Sequence, residues 1–296
     1  MYEFNGLTLW TTQALIIDFI IIIALFVSLK MIKGWVSNLH ANDEIAKRDN
    51  FAFGISFAAG LAGLAIVLTG ITSGDFANSL WQEAMQMAGY GLVGIALIKA
   101  GHFFQDKVTL RQVSLHDEIV KGNITASFVE FGHIVAVAIV VRSALLWVLT
   151  EGWHGLPVVI AAFVIANIIM LLVSKYLVQL FKKTGDSLPQ LILDNNLAVG
   201  IRYAGFLIGS GLAITAATGL APYAANNISL SLVYWALFAV VSVIVFAVLH
   251  LITIKVILSG VDIADEVIRQ KNIGVAVISA TTSFAIGLTM ATLLGS

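Results

Sequence analysis

The sequence predicts an all-α fold, a polytopic integral membrane protein whose eight transmembrane helices form four parallel two-helix repeats in two homologous halves. Three observations carry this expectation. The 296 residues are 59% hydrophobic and 11% charged, with a mean hydropathy of +0.97, whereas soluble domains carry about a quarter charged residues. Apolar runs of membrane-spanning length recur from one end to the other, and an Asn-led phrase returns four times at nearly constant spacing.

A hydrocarbon core about 30 Å thick takes about 20 apolar residues of helix. Runs of that size lie at about 13–34, 51–73, 80–104, 124–149, 157–181, 197–220, 229–258 and 273–294. None shows the period-two alternation of a membrane barrel strand, and a lipid-embedded backbone must satisfy its own polar groups, so each run reads as a helix. The opening "MYEFNGLTLWTTQ" has neither a basic leader nor a small-residue cleavage signature, so the first run reads as a retained span and not a signal peptide. No stretch remains for a sizeable soluble domain.

The charges give a topology. Fourteen of the sixteen Lys and Arg residues flank four long connectors, among them Lys30, Lys33, Lys47 and Arg48 at the first, Lys99, Lys107, Arg111 and Lys121 at the second, Lys175, Lys182 and Lys183 at the third, and Lys255, Arg269 and Lys271 at the fourth. The N-terminal tail and the connectors near 74–79, 151–156 and 221–228 carry none. The positive-inside rule therefore predicts cytoplasmic long connectors and both termini on the periplasmic (extracytoplasmic) side. With no cysteine in the chain, disulfides, thiolate metal sites and Cys nucleophiles are excluded.

The repeat begins at Asn50, Asn123, Asn196 and Asn272, spaced by 73, 73 and 76 residues. "DEIAKRDNFA", "DEIVKGNITA" and "DEVIRQKNIG" share an acidic pair ahead of the Asn, while the third copy, "SLPQLILDNN", lacks the pair. Small residues follow at fixed distances: Ala52, Thr125, Ala198 and Gly274 two on, and Ala59, Gly132, Gly205 and Thr281 nine on. Each Asn reads as an N-cap of an even-numbered span, the small residues as close helix packing, and the acidic pairs as short amphipathic helices at the cytoplasmic interface. "NFAFGISFAAGLAGLA" (50–65) matches "NLAVGIRYAGFLIGSG" (196–211) at an offset of 146. Two four-helix halves follow, 1–150 and 151–296, and we expect them to pack about a pseudo-twofold axis along the membrane normal.

The tandem acidic-pair, Asn and Gly/Ala-rich pattern resembles the bacterial inner-membrane family of domain of unknown function 350 (YjfL-like), over nearly the whole chain and in four tandem hairpin copies. The resemblance implies a polytopic protein of the bacterial inner (cytoplasmic) membrane associated with envelope or membrane stress. It brings no reaction, cofactor or catalytic residue.

Charges inside spans are candidates for function by default. Glu130 and Arg202 lie seven and six residues past their Asn markers, roughly 10 Å in from the cytoplasmic side. Asp18 and Arg142 fall in the outer part of the bilayer. Matching depths suggest two ion pairs, Glu130–Arg202 and Asp18–Arg142, acting either as a lock between the halves or as a polar path. Glu130 and His133 form a Glu-x-x-His, one quarter of a di-iron constellation whose other parts the spans lack, so no metal or cofactor is expected. His102 and His250 read as interfacial. No phosphate loop, dinucleotide fingerprint or nucleophile elbow occurs, and no enzymatic activity is expected. The function expected is a non-enzymatic envelope, membrane-stress or scaffold protein; the alternative is a channel or transporter for a small ion or polar solute. The expected partners are the lipid bilayer, a homo-oligomer and a cytoplasmic protein at the long connectors, and no nucleic acid.

Overall fold

The computed structural model describes residues 9–37, 41–72, 79–182 and 187–295. The N-terminal tail, most of the connector near 74–79, and Lys183 lie outside the described residues. Twelve α-helices occur among the described residues: α1 (Leu9–Ser37), α2 (Ala41–Ala46), α3 (Phe51–Thr72), α4 (Leu80–Phe104), α5 (Leu115–Val120), α6 (Ile124–Trp147), α7 (Leu156–Lys182), α8 (Leu188–Leu193), α9 (Leu197–Leu220), α10 (Ile228–Ile257), α11 (Ile263–Ile268) and α12 (Ile273–Leu294). Eight are long and apolar enough to cross a membrane, at the eight places the apolar runs predict. The other four are six-residue helices, one ahead of each Asn marker.

Each short helix ends in the same turn. Asp49, Gly122, Asn195 and Lys271, the residues just before the markers, all have positive φ, a left-handed step that turns the chain sharply into the next span. Asn50 Oδ1 then accepts from Phe53 N at 3.0 Å, Asn123 Oδ1 from Ala126 N at 3.0 Å, and Asn272 Oδ1 from Val275 N at 3.2 Å, which meets a first-turn amide that hydrocarbon would leave bare. The expected cap does not form at Asn196. There the Asn196 backbone carbonyl takes the Val199 amide at 3.1 Å, so the side chain is not required.

The same Asn residues also join the repeats. Asn50 Nδ2 donates to the carbonyls of Ile119 and Val120 at 3.1 and 3.2 Å, Asn123 Nδ2 to Ile192 at 2.7 Å, and Asn196 Nδ2 to Val267 and Ile268 at 3.2 and 3.0 Å. Every one of these acceptors lies in the short helix of the following repeat. The acidic pair explains itself in the same geometry: Asn50, Asn123 and Asn272 each donate to Glu44, Glu118 and Glu266 respectively, and only the third repeat lacks the carboxylate. Outside the spans, Glu118 also holds Lys121 at 2.7 Å and raises its pKa through that bond.

The spans follow the same order. α3 packs on α6, α6 on α9 and α9 on α12, forming an inner row of four similarly directed helices, with α1, α4, α7 and α10 against it. The expected pseudo-twofold between halves is corrected here. Contact of α6 with α9 under a twofold requires contact of α12 with α3, yet α3 and α12 are the two ends of the row and do not pack together. The halves follow one another head to tail because one interface is reused at every step. Its closeness is set by missing side chains: a Cβ on Gly132 would stand 2.4 Å from Ala204 Cα, and one on Gly205 would stand 2.3 Å from Ala280 Cβ. Backbones approach where lipid supplies no hydrophobic drive between helices.

Gly132→Leu is therefore expected to destabilise the fold by about 1–3 kcal/mol or more, measured by denaturation in detergent. Asn123→Ala, which removes a cap and a cross-repeat bond, is expected to lose more stability than Asn272→Ala, which removes a cap and no bond to a following repeat; each bond is worth about 1 kcal/mol.

Candidate functional site: a buried ionic cluster in the first half

Four spans of the first half meet around Glu130. It projects from α6 about two turns past its Asn and is 5% exposed. Ser56 on α3 donates its hydroxyl to Glu130 Oε2. His102 on α4 places Nδ1 2.9 Å from Oε1. Lys33 on α1 donates to Ser56 Oγ at 2.5 Å and lies over the Phe53 ring, 5.2 Å from its centroid. Lys99 lines the same cavity, which measures about 20 Å³, room for about one water molecule. Three basic side chains thus converge on one carboxylate. A buried carboxylate without such partners would be prohibitively costly in hydrocarbon.

His133 turns away from this centre. Its Nε2 is bonded to the Gly101 carbonyl at 3.0 Å, so Glu130 and His133 share a helix without aiming at one point. Next to them α4 runs into a π-helical turn, Gln105–Thr109, which buries Gln105 and directs its Nε2 toward the Val129 carbonyl at 3.4 Å.

Neither expected ion pair forms. Glu130 engages α3 and α4, and Arg202 occupies another place: it is the sixth residue after Asn196, as Ser56 is the sixth after Asn50. One repeat step separates α9 from α6, so Arg202 faces its own hairpins, near Tyr176 of α7 and His250 of α10. Asp18 and Arg142 are on helices that do not pack closely, since α1 lies against α3 and α4. Arg142 Nε donates instead to Thr69 Oγ1 at 2.9 Å. Asp18 is buried, and its Oδ1 has no hydrogen-bond partner among the described residues.

Sequence reasoning missed Lys33, Lys99, His102 and Ser56. The two lysines stand within two turns of the ends of their helices, beside basic connectors, so by linear depth they read as interfacial anchors. His250 was also read as interfacial; it is 2% exposed and meets Ser283 Oγ at 3.1 Å. The second half holds the counterpart of this site without its acid. Ser279, the seventh residue after Asn272, stands where Glu130 stands after Asn123, and its buried hydroxyl has no partner among the described residues.

Glu130→Leu alone is expected to cost about 3–5 kcal/mol, because it leaves Lys33 and His102 uncompensated. Adding Lys33→Met and His102→Phe is expected to recover most of that loss. Unfolding titrations of the single and triple variants check this.

Two stretches, residues 4–145 and 151–294, match the family model described as Domain of Unknown Function (DUF350). No curated protein and no solved structure matches the chain. With nearly all of its length matched in two tandem copies, and the marker Asn residues holding its repeats together, the chain belongs to the DUF350 family.

Proposed function

We propose that this protein is a non-enzymatic scaffold of the bacterial inner membrane, with its Lys- and Arg-bearing connectors in the cytoplasm and both termini outside. The observation that carries this reading is the inner row itself. Successive helices meet backbone to backbone at Gly132 and Gly205, and the ionic cluster around Glu130 sits at a cavity of about 20 Å³, too small for a solute beyond about one water. Charged and polar groups from four helices of one half converge on Glu130 and hold those helices together, as a lock does. In α2, α5 and α11 the Glu of each acidic pair turns inward to a marker Asn while Asp43, Asp117 and Asp265 stay at the connector surface, which suits a cytoplasmic protein partner with a basic face.

A second reading has one observation in its favour. Lys33, Lys99 and His102 surround the single carboxylate of Glu130, an excess of basic groups that suits passage of a proton or small anion. The two readings separate in purified proteoliposomes. The scaffold reading expects proton, potassium and chloride fluxes equal to those of empty liposomes. Flux above that level that disappears in Glu130→Gln would overturn it and establish the transport reading.

A further inference from the structure

The inner row is built from one heterologous interface used three times, and both of its ends are left open among the described residues. In the two interfaces between α6, α9 and α12, the ninth residue after one marker Asn meets the eighth after the next: Gly132 against Ala204, and Gly205 against Ala280. Nearer the cytoplasmic side, a Cβ on Gly200, four residues past Asn196, would stand 3.0 Å from the Thr125 carbonyl oxygen.

At the first end, the equivalent positions on α3 are Gly54 and Ala58. A Cβ on Gly54 would meet nothing within 4 Å, and Ala58 is exposed. The short helices tell the same story independently. Ile119, Ile192 and Val267, whose carbonyls accept the cross-repeat Asn bonds, are 3%, 0% and 0% exposed, whereas Ile45, their counterpart in α2, is 43% exposed. No described residue donates to the carbonyls of Ile45 or Ala46. At the other end, Thr281 and Ala285 of α12 are exposed. Asn272 Nδ2 reaches Glu266 at 2.7 Å but, unlike the other three markers, no following repeat.

We propose that a second copy of this chain docks head to tail on the first, α12 of one copy against α3 of the next, with Asn272 donating to the Ile45 and Ala46 carbonyls across the junction. The partner is fixed by complementarity: each end offers half of an interface whose two halves are joined three times inside the chain. A heterologous contact of this kind builds a ring or an open array and not an isolated twofold dimer. This deepens the scaffold reading and rests on it for its meaning, although the contact itself is independent of transport.

The absence of native cysteines makes the test direct. In membranes treated with a thiol oxidant, the double variant A58C/T281C is expected to give a ladder of dimers, trimers and larger species on non-reducing gels, while A58C and T281C alone remain monomeric. Adding N272A is expected to lower the cross-linked fraction about fivefold. The pair S143C/T218C, whose native hydroxyls are 3.2 Å apart within one chain, serves as the measure of native packing and oxidant access and is expected to close inside the monomer. Monomeric A58C/T281C alongside a closed S143C/T218C overturns the proposal, and so do dimers of either single variant, which would mean a twofold contact. A ladder accompanied by ion flux would retain the docking and remove the scaffold reading.

Discussion

The fold depends on a side-chain amide that does two things at once. In three of the four repeats the marker Asn spends its oxygen on the first turn of its own span, and in three it gives its nitrogen to the short helix of the next repeat. Near hydrocarbon, neither the helix amides nor the last carbonyls of a short helix can be left bare without a penalty of several kcal/mol. One Asn satisfies both sets, and in doing so fixes the offset between neighbouring hairpins. The small residues beyond it then meet in register, so backbone contact along α3, α6, α9 and α12 follows from a polar constraint at one end of the membrane.

Within that regular frame the halves have been given different chemistry. The sixth position after the marker holds Ser56 in the first half and Arg202 in the second; the seventh position of the following repeat holds Glu130 in one half and Ser279 in the other. His102 faces the carboxylate, while His250 faces the hydroxyl of Ser283. The first half therefore encloses an acid among three bases, and the second keeps a guanidinium without an acid in the matching place. Such divergence at equivalent positions of one scaffold places the distinctive chemistry in the first half.

Much of this was legible in the linear chain. Span limits came from apolar run length alone, because a bilayer enforces length. The recurrence of Asn50, Asn123, Asn196 and Asn272 disclosed the hairpin unit. What composition and spacing could not disclose was direction around the axis: residue depth is one coordinate, and Glu130 and Arg202 share it while facing different neighbours. The pseudo-twofold expectation failed for the same reason, since a twofold and a head-to-tail row give identical spacing along the sequence. Lys33 and Lys99 were hidden by their nearness to connectors, where a basic residue is ordinarily an anchor. Their one available signal was that α1 and α4 end at the depth where α6 carries its carboxylate.

The head-to-tail row is tested most directly by a spin-label distance within a single chain, between Ala58 on the outer face of α3 and Thr281 on the outer face of α12, with labelled protein diluted in unlabelled protein. Three successive interaxial separations of 8–10 Å place the axes of α3 and α12 roughly 25–30 Å apart, and their outward faces at that distance or more. A distribution centred there agrees with an open row; one centred near 10 Å, the spacing of two helices in contact, would mean that the ends close on each other and that the halves are related by a twofold after all.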